Sequence, residues 1–373
     1  MLGQAMKNDG KTPSHDVYGN GDQAVVPEYL DSNHLIPSDD VDWVDEILRA
    51  AVVQSYNLSF TKADKKSNQL FSLGYYDQQG LVKFSDFKRV SGRFNSEYKL
   101  FDDHLRIGEN ISLSHSWGTS VSNNAALGGT LYEAYKFQSI TPVKNLEDEY
   151  AGNVFSDIPN PMGKLYRNKD NQDKKSRLVG NLYAELHLFD GLMFKTSFGV
   201  DYNNLYRRSF SPKYDELNAS EKLSSLSNRN AWNFNWVFTN TLTYNKTFGD
   251  HTINALLGME SLRNRYEYFT ASRDGFPSDD PNFRFLDAGD VGTQKNSGAA
   301  TEYSMVSYFG KLDYNYHDRY LVAFTLRRDG SSRLGNNKWG NFPAASVGWR
   351  ISNEPFFDVE AISNLQVRVG WGQ

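Results

Sequence analysis

The sequence contains no cysteine among its 373 residues, which excludes both a disulfide framework and a thiolate metal site. It also contains no run of about 18 apolar residues, so no segment is a candidate for a transmembrane helix. The formal net charge is −5, whereas proteins that bind nucleic acid favour a basic surface. We therefore expect neither a disulfide-rich domain, nor a helical membrane protein, nor a nucleic-acid partner.

Motifs of catalysis and of metal binding are missing as well. The seven histidines are scattered, with no pair at i, i+4, and the sequence has neither a Gly-x-Ser-x-Gly elbow nor a Gly-x-x-x-x-Gly-Lys loop. We predict no enzyme activity and no cofactor. One acidic cluster is compatible with Ca²⁺ in a loop but lacks EF-hand spacing, and a solvated helix N-terminus explains it better. Its members are Asp39, Asp40, Asp42, Asp45 and Glu46.

What the sequence does contain is alternation with a period of two. One face of the segment from residue 90 reads Val90, Gly92, Phe94, Ser96, Tyr98, Leu100, and the other reads Ser91, Arg93, Asn95, Glu97, Lys99. The segment 101–104 then turns the chain, and an equally alternating segment returns. This pattern predicts a β-hairpin with one apolar and one polar face. The same unit recurs, giving about 12 strands between Val52 and the C-terminus, whereas helical periodicity is scarce and the best candidate for a short helix is 41–51.

The connections between these strands alternate in length. Short turns are predicted at 61–67, 101–104, 189–191, 247–250 and 317–319, and long polar loops at about 118–177, 208–229, 271–301 and 329–341. Short turns at one end, long loops at the other and aromatic residues near strand ends are typical of an antiparallel outer-membrane β-barrel. A soluble β-sandwich or propeller also alternates, but its strands are shorter and its core does not accept charges at mid-strand. We therefore predict an all-β, transmembrane barrel fold.

Several long motifs resemble the SusC/RagA family of TonB-dependent outer-membrane transporters. They are Gln54-Ser-Tyr-Asn-Leu-Ser59, the segment 72–80, the segment 308–321, Thr325-Leu-Arg-Arg-Asp-Gly-Ser-Ser-Arg333, Trp339-Gly340, Phe342-Pro343 and Gly348-Trp349-Arg350-Ile-Ser352. The resemblance spans about 42–373 and is strongest in the C-terminal third. It implies a 22-stranded barrel with a plugged lumen, of which the 12 predicted strands would be an internal part. Residues 1–51 would then be an extracellular lead-in segment and 52–373 a partial barrel, with plug, TonB box and signal peptide absent. A closed barrel of 12 strands remains a geometric alternative.

The resemblance also implies a function and partners. We expect the barrel portion of an importer of oligosaccharides or peptides in the outer membrane of a Bacteroidetes-type bacterium, working with a SusD-like lipoprotein and, through the plug, with the TonB-ExbB-ExbD complex. The alternatives are a passive porin or structural barrel, an outer-membrane hydrolase for which no nucleophile is nominated, and a non-functional fragment of a transporter gene. Asp329-Gly330 is interpreted as turn chemistry, with Arg327 at a strand end facing the lumen. Candidate contacts to a solute or plug, with rim ion pairs as the equal alternative, are Arg93, Glu97, Glu185, Asp201, Arg327 and Arg350.

Overall fold

The computed structural model describes residues 2–23, 25–122 and 128–373, and more than half of the chain lies in β-strands. The strands are β1 Ser14–His15, β2 Gly19–Asn20, β3 Val53–Ala63, β4 Ser67–Gln79, β5 Asp86–Leu100, β6 Leu105–Gly118, β7 Gln172–Phe189, β8 Leu192–Ser211, β9 Tyr214–Glu216, β10 Ala219–Glu221, β11 Ser225–Phe248, β12 His251–Asp274, β13 Lys295–Tyr316, β14 Tyr320–Ser331, β15 Trp339–Arg350 and β16 Gln366–Gly372. The α-helices are α1 Leu2–Asn8, α2 Trp43–Ile47, α3 Thr130–Lys136 and α4 Pro161–Asn168. Short 3₁₀ turns lie at Pro281–Phe283, Leu286–Ala288, Val291–Thr293 and Ile351–Asn353. No helix in the described part of the chain is both long and apolar enough to span a membrane.

Twelve of the strands form one antiparallel sheet in which each strand pairs with its neighbour in sequence. The order runs from β3 through β8 and then from β11 to β16, with the small hairpins β1–β2 and β9–β10 lying outside it. The predicted strand number and antiparallel meander are thereby confirmed. Over the described residues, β3 and β16 do not pair with each other, so the sheet has two free edges.

The register aligns the alternation of neighbouring strands, and this gives the sheet two chemically different faces. On the first, here called the apolar face, Phe60 pairs with Phe71, Phe71 with Phe94, and Phe94 with Ile111. One residue away, on the polar face, Ser72 pairs with Arg93 and Arg93 with Ser112. Because side chains alternate strictly along a strand, the two faces continue across the whole sheet. Large apolar side chains on the first face are exposed, with Leu58 at 71% and Phe324 at 47%. A face of this kind needs an apolar surrounding.

The connections differ in length at the two ends of the sheet. One end carries the tight turns at 64–66, 101–104, 190–191, 249–250 and 317–319, together with one longer connection, 351–365, between β15 and β16. The other end carries 80–85, 119–171, 212–224, 275–294 and 332–338. At the first end the backbone of Gly191 has φ +90°, and a Cβ there would lie 2.5 Å from the carbonyl oxygen of Asn245. Only glycine fits this turn.

The turn predicted at Asp329-Gly330 was wrong. Asp329 and Gly330 do not form a turn but lie inside β14, where Asp329 pairs with Ser307 and Gly330 pairs with Val306 and Trp339. The glycine accommodates a neighbour, because a Cβ at this position would come within 2.9 Å of the Trp339 ring. The glycine that suggested a turn is therefore explained by close packing between β14 and β15.

The long connections at the second end pack into a cap with its own small core. Trp43 and Ile47 of α2 contact Phe137 next to α3 and Leu165 of α4, and all four are buried. The Trp43 indole meets the Phe137 ring edge-on at 4.6 Å between centroids and donates a 3.1 Å hydrogen bond to the Gln138 carbonyl. The cap thus fastens the segment before β3 to the β6–β7 connection.

Candidate functional site

Four of the six candidate charged residues on the polar face are held in ion pairs, two of them with a neighbouring strand. Asp201 on β8 accepts two hydrogen bonds, of 3.0 and 2.8 Å, from the guanidinium of Arg177 on β7. Glu185 on β7 accepts a 2.8 Å hydrogen bond from Lys195 on β8. Such pairs cancel charge within the wall, so they fix the positions of side chains more than they create a field over the face.

Glu97 has a neutral partner. The hydroxyl of Tyr183 on β7 donates a 2.8 Å hydrogen bond to the Glu97 carboxylate on β5, two strands away. The phenol crosses β6 directly above Gly108, where a Cβ would come within 2.4 Å of the ring. Because residue 108 is glycine, there is room for the Tyr183–Glu97 contact, which spans three strands.

Arg327 and Arg350 lie towards opposite ends of the sheet, and both are paired. Arg327 donates to the Asp329 carboxylate at 2.8 and 2.9 Å and to the Ser307 hydroxyl at 3.0 Å. Arg350, the last residue of β15, donates to Asp318 in the tight turn 317–319. The sequence left two roles open for these residues, a contact to a solute or plug and a rim ion pair. The structure shows both residues in ion pairs.

Arg93 is different, because in the described part of the chain no carboxylate lies within ion-pair distance of it. It projects into an open cavity of about 360 Å³ on the polar face. Arg89 enters the same cavity, also without a carboxylate partner among the described residues. The remaining lining is uncharged: Asn57, Ser72, Gly74, Ser91, Gly92, Ser112 and Ser114. We refer to this cavity as the basic basin.

Two basic residues near Arg93 were not among the lumen candidates predicted from the sequence. Arg89 lies four residues before Arg93 on the same strand and therefore on the same face, so the period-two rule alone could have found it. Lys175 is harder to find, because its position depends on register: Ser116 pairs with both Arg89 and Lys175. Two strand spacings of about 4.8 Å place the Lys175 backbone about 10 Å from that of Arg89.

The cap is organised around a buried carboxylate. Glu216, in the β9–β10 hairpin, accepts a 2.7 Å hydrogen bond from the backbone N–H of Asn160 and a 2.5 Å hydrogen bond from Arg167. Burial raises the pKa of Glu216, while these two donors act in the opposite direction. The side chain of Asn160 caps α4 by accepting from the N–H groups of Met162 and Gly163, and it donates to the carbonyls of Val143 and Ala151.

A second cavity, of about 560 Å³, opens beside this carboxylate in the cap. Its walls include the rings of Tyr150, Tyr166 and Tyr214, and the guanidinium of Arg167 lies 3.8 Å from the Tyr214 ring centroid. The side chain of Arg284 closes one side and donates to the carbonyl of Asp279 at 3.0 and 2.7 Å. The cavity presents flat rings and fixed hydrogen-bonding groups at the mouth of the wall.

The acidic cluster considered for Ca²⁺ has local roles. Asp42 caps α2 by accepting from the N–H groups of Val44 and Asp45, and Asp39 accepts from the N–H of Asp40. Across the described ranges, no three His, Asp or Glu side chains are grouped closely enough to hold a metal ion.

Comparison with known proteins gives consistent matches. No family model matches the chain. It is 29% identical over 358 residues to TonB-dependent receptor P3 of Formosa agariphila, which covers 94% of this chain and 35% of that protein. It is also 29% identical over 362 residues to TonB-dependent receptor SusC of Bacteroides thetaiotaomicron, covering 89% of this chain and 34% of the relative. The chain thus spans about a third of the length of the curated relatives it matches.

Among solved structures, the RagAB peptide transporter matches with a TM-score of 0.79 at 23% identity, over 92% of this chain and 40% of that one. The RagAB importer in its "open-open" state matches with a TM-score of 0.78. The sheet therefore has the fold of an outer-membrane barrel wall, with the apolar face towards lipid and the polar face towards the lumen. The resemblance seen in the motifs is confirmed: the chain is similar in sequence to TonB-dependent receptor SusC and has the outer-membrane β-barrel fold of the RagAB transporter.

Proposed function

We propose that this chain forms part of the barrel of a TonB-dependent importer of oligosaccharides or peptides. The observation that carries the proposal is the wall itself: twelve continuous strands with an apolar face and a charged lumen face, superposing on the RagAB transporter with a TM-score of 0.79. A charged, water-accessible wall suits passage of polar solutes, since charges on a lumen face affect selectivity and not membrane insertion.

The two free edges indicate how the wall is completed. Unpaired N–H and C=O groups of β3 and β16 would face lipid, where each unsatisfied group costs several kcal/mol, of the order of 2–7. We propose that both edges pair with further strands of the same receptor, giving a larger barrel of about 22 strands around a plug. This arrangement also explains why the sheet does not close on itself.

Two partners follow from the same proposal. A SusD-like lipoprotein would cover the end of the wall that carries the long connections and the cap, and the TonB-ExbB-ExbD complex would act from the other side through the plug. The relatives reported above are receptors and transporters, and we propose transport by binding and plug displacement, without covalent chemistry. Whether the solute is an oligosaccharide or a peptide is decided by loops, plug and lid together.

A passive porin is the competing function, and gene context separates the two. We expect the DNA flanking this reading frame to encode a plug and TonB box upstream and a SusD-like lipoprotein beside it. Affinity purification of the tagged protein from outer membranes should then recover that lipoprotein, identified by mass spectrometry. Flanking stop codons without a plug, together with solute uptake that persists in a strain lacking TonB, would overturn the importer proposal.

A further inference from the structure

Charge on the lumen face is distributed unevenly once the ion pairs are removed. Arg177 is neutralised by Asp201, Lys195 by Glu185, and Arg327 by Asp329. Over the described residues, Arg89, Arg93 and Lys175 have no carboxylate within 4 Å, and neither do two other cations of the polar face, Arg229 on β11 and Arg368 on β16. Only the first three are grouped, on β5 and β7, which flank β6.

The surroundings of these cations suit an oxyanion. The basic basin is floored by the hydroxyls of Ser72, Ser91, Ser112 and Ser114, small donors that leave room above them. Gly74 adds further room, because a Cβ there would lie 2.8 Å from the Ser91 hydroxyl and 3.0 Å from the Asn57 side-chain oxygen. A guanidinium presents a rigid fork of N–H donors that matches carboxylate, sulfate or phosphate.

We infer that the basic basin is a binding site for an oxyanion group, held by Arg89 and Arg93 over the serine floor with Lys175 at its margin. The group is a carboxylate, sulfate or phosphate with at least two free oxygens. Its oxygens accept from the two guanidinium groups and from the serine hydroxyls.

Such a group has two sources, a dissolved anionic solute or an acidic side chain elsewhere in the receptor, and the test separates them. The full-length receptor is purified from outer membranes in an uncharged detergent, and potassium sulfate and sodium glutarate are titrated calorimetrically at low ionic strength. The test variant is Arg89→Gln/Arg93→Gln. The control is Arg328→Gln, which removes an exposed arginine of β14 from the apolar face. The unfolding temperature of each protein is recorded at low and high salt.

Saturable binding to the wild type, weakened at least tenfold in the double variant and less than twofold in the control, supports a dissolved anion. An internal carboxylate is supported by a different combination of results. The wild type then shows no binding, the double variant unfolds several degrees lower than the control, and high salt removes this difference in unfolding temperature. Equal titration of all proteins, or no binding with equal unfolding temperatures, overturns the inference. The basin deepens the proposed import role, but these equilibrium measurements need no TonB, plug movement or lipoprotein, so they stand or fail independently of it.

Discussion

The hydroxyl of Tyr183 donates a 2.8 Å hydrogen bond to the carboxylate of Glu97 across an intervening strand. The contact joins β5 to β7 over β6, and it exists because residue 108 is glycine. The lumen face is therefore held by side-chain contacts over several strands in addition to the backbone hydrogen bonds of the sheet.

Gly108→Ala should disrupt this contact. A Cβ would come within 2.4 Å of the Tyr183 ring, so the ring must move and the hydrogen bond to Glu97 is lost. We expect the free energy of unfolding in urea, measured in lipid vesicles, to fall by about 1–3 kcal/mol. Gly199→Ala is the matched control, since its nearest neighbour would be 3.8 Å away. Equal effects of the two substitutions would contradict the proposed role of Gly108.

Phe324→Asp and Thr325→Asp should differ in membrane assembly. Phe324 is on the apolar face, whereas Thr325 is on the polar face between Lys311 and Ala344. A charge facing lipid at mid-membrane costs up to about 2–4 kcal/mol, and an aspartate somewhat less, while a lumen charge costs little. The assembled fraction, read from heat-modifiable migration of the full-length protein, should fall for Phe324→Asp only. Equal loss in both would refute the assignment of faces.

Asn160→Ala should loosen the cap without affecting the wall. The substitution removes both hydrogen bonds that cap α4 and leaves the Val143 and Ala151 carbonyls without this donor. We expect hydrogen-exchange protection in α4 to drop by about 1–2 kcal/mol or more, with the strands unchanged. Asp42→Ala, which removes the exposed cap of α2, should produce a smaller and local change.

The cap should also respond to pH through Glu216. Since burial raises its pKa above the unfolded value, the folded cap binds a proton more tightly than the unfolded chain does. Its stability is then greatest below the unfolded pKa and declines as pH rises through the folded pKa. Protection factors for α4, corrected for intrinsic exchange, should be higher near pH 4.5 than near pH 7. Glu216→Gln should abolish this difference, and a persistent difference in that variant would assign the effect to another group.

The faces of the wall could be predicted from the sequence because they depend only on strand geometry. A period of two assigns Arg93 and Glu97 to one face and Phe94 and Tyr98 to the other. This assignment does not depend on which strand lies alongside. Ion pairs could not be predicted in the same way. The contact between Arg177 and Asp201 depends on the register of β7 against β8, which the turn at 190–191 and the packing of both strands decide together.

The cap shows where local signals were present but unused. The segment 118–177 was predicted as a polar loop, yet it contains α3 and α4. Asn160-Pro161 is an N-cap residue followed by proline at the first helical position, which is a helix-start signal. The burial of Glu216 against this helix involves residues 56 apart and had no such signal. Conversely, Asp329-Gly330 has the sequence of a turn, but it lies within β14, where the glycine makes room for the Trp339 ring.

The central claim is that the sheet is a membrane wall with one face to lipid and one to water, and the absence of cysteine makes it directly testable. Single variants Val322→Cys, Ala323→Cys, Phe324→Cys and Thr325→Cys along β14 can be treated in intact outer membranes with a charged, membrane-impermeant thiol reagent. The account predicts rapid labelling at positions 323 and 325 and labelling at 322 and 324 only after the membrane is dissolved. Equal labelling of all four positions in intact membranes would contradict it.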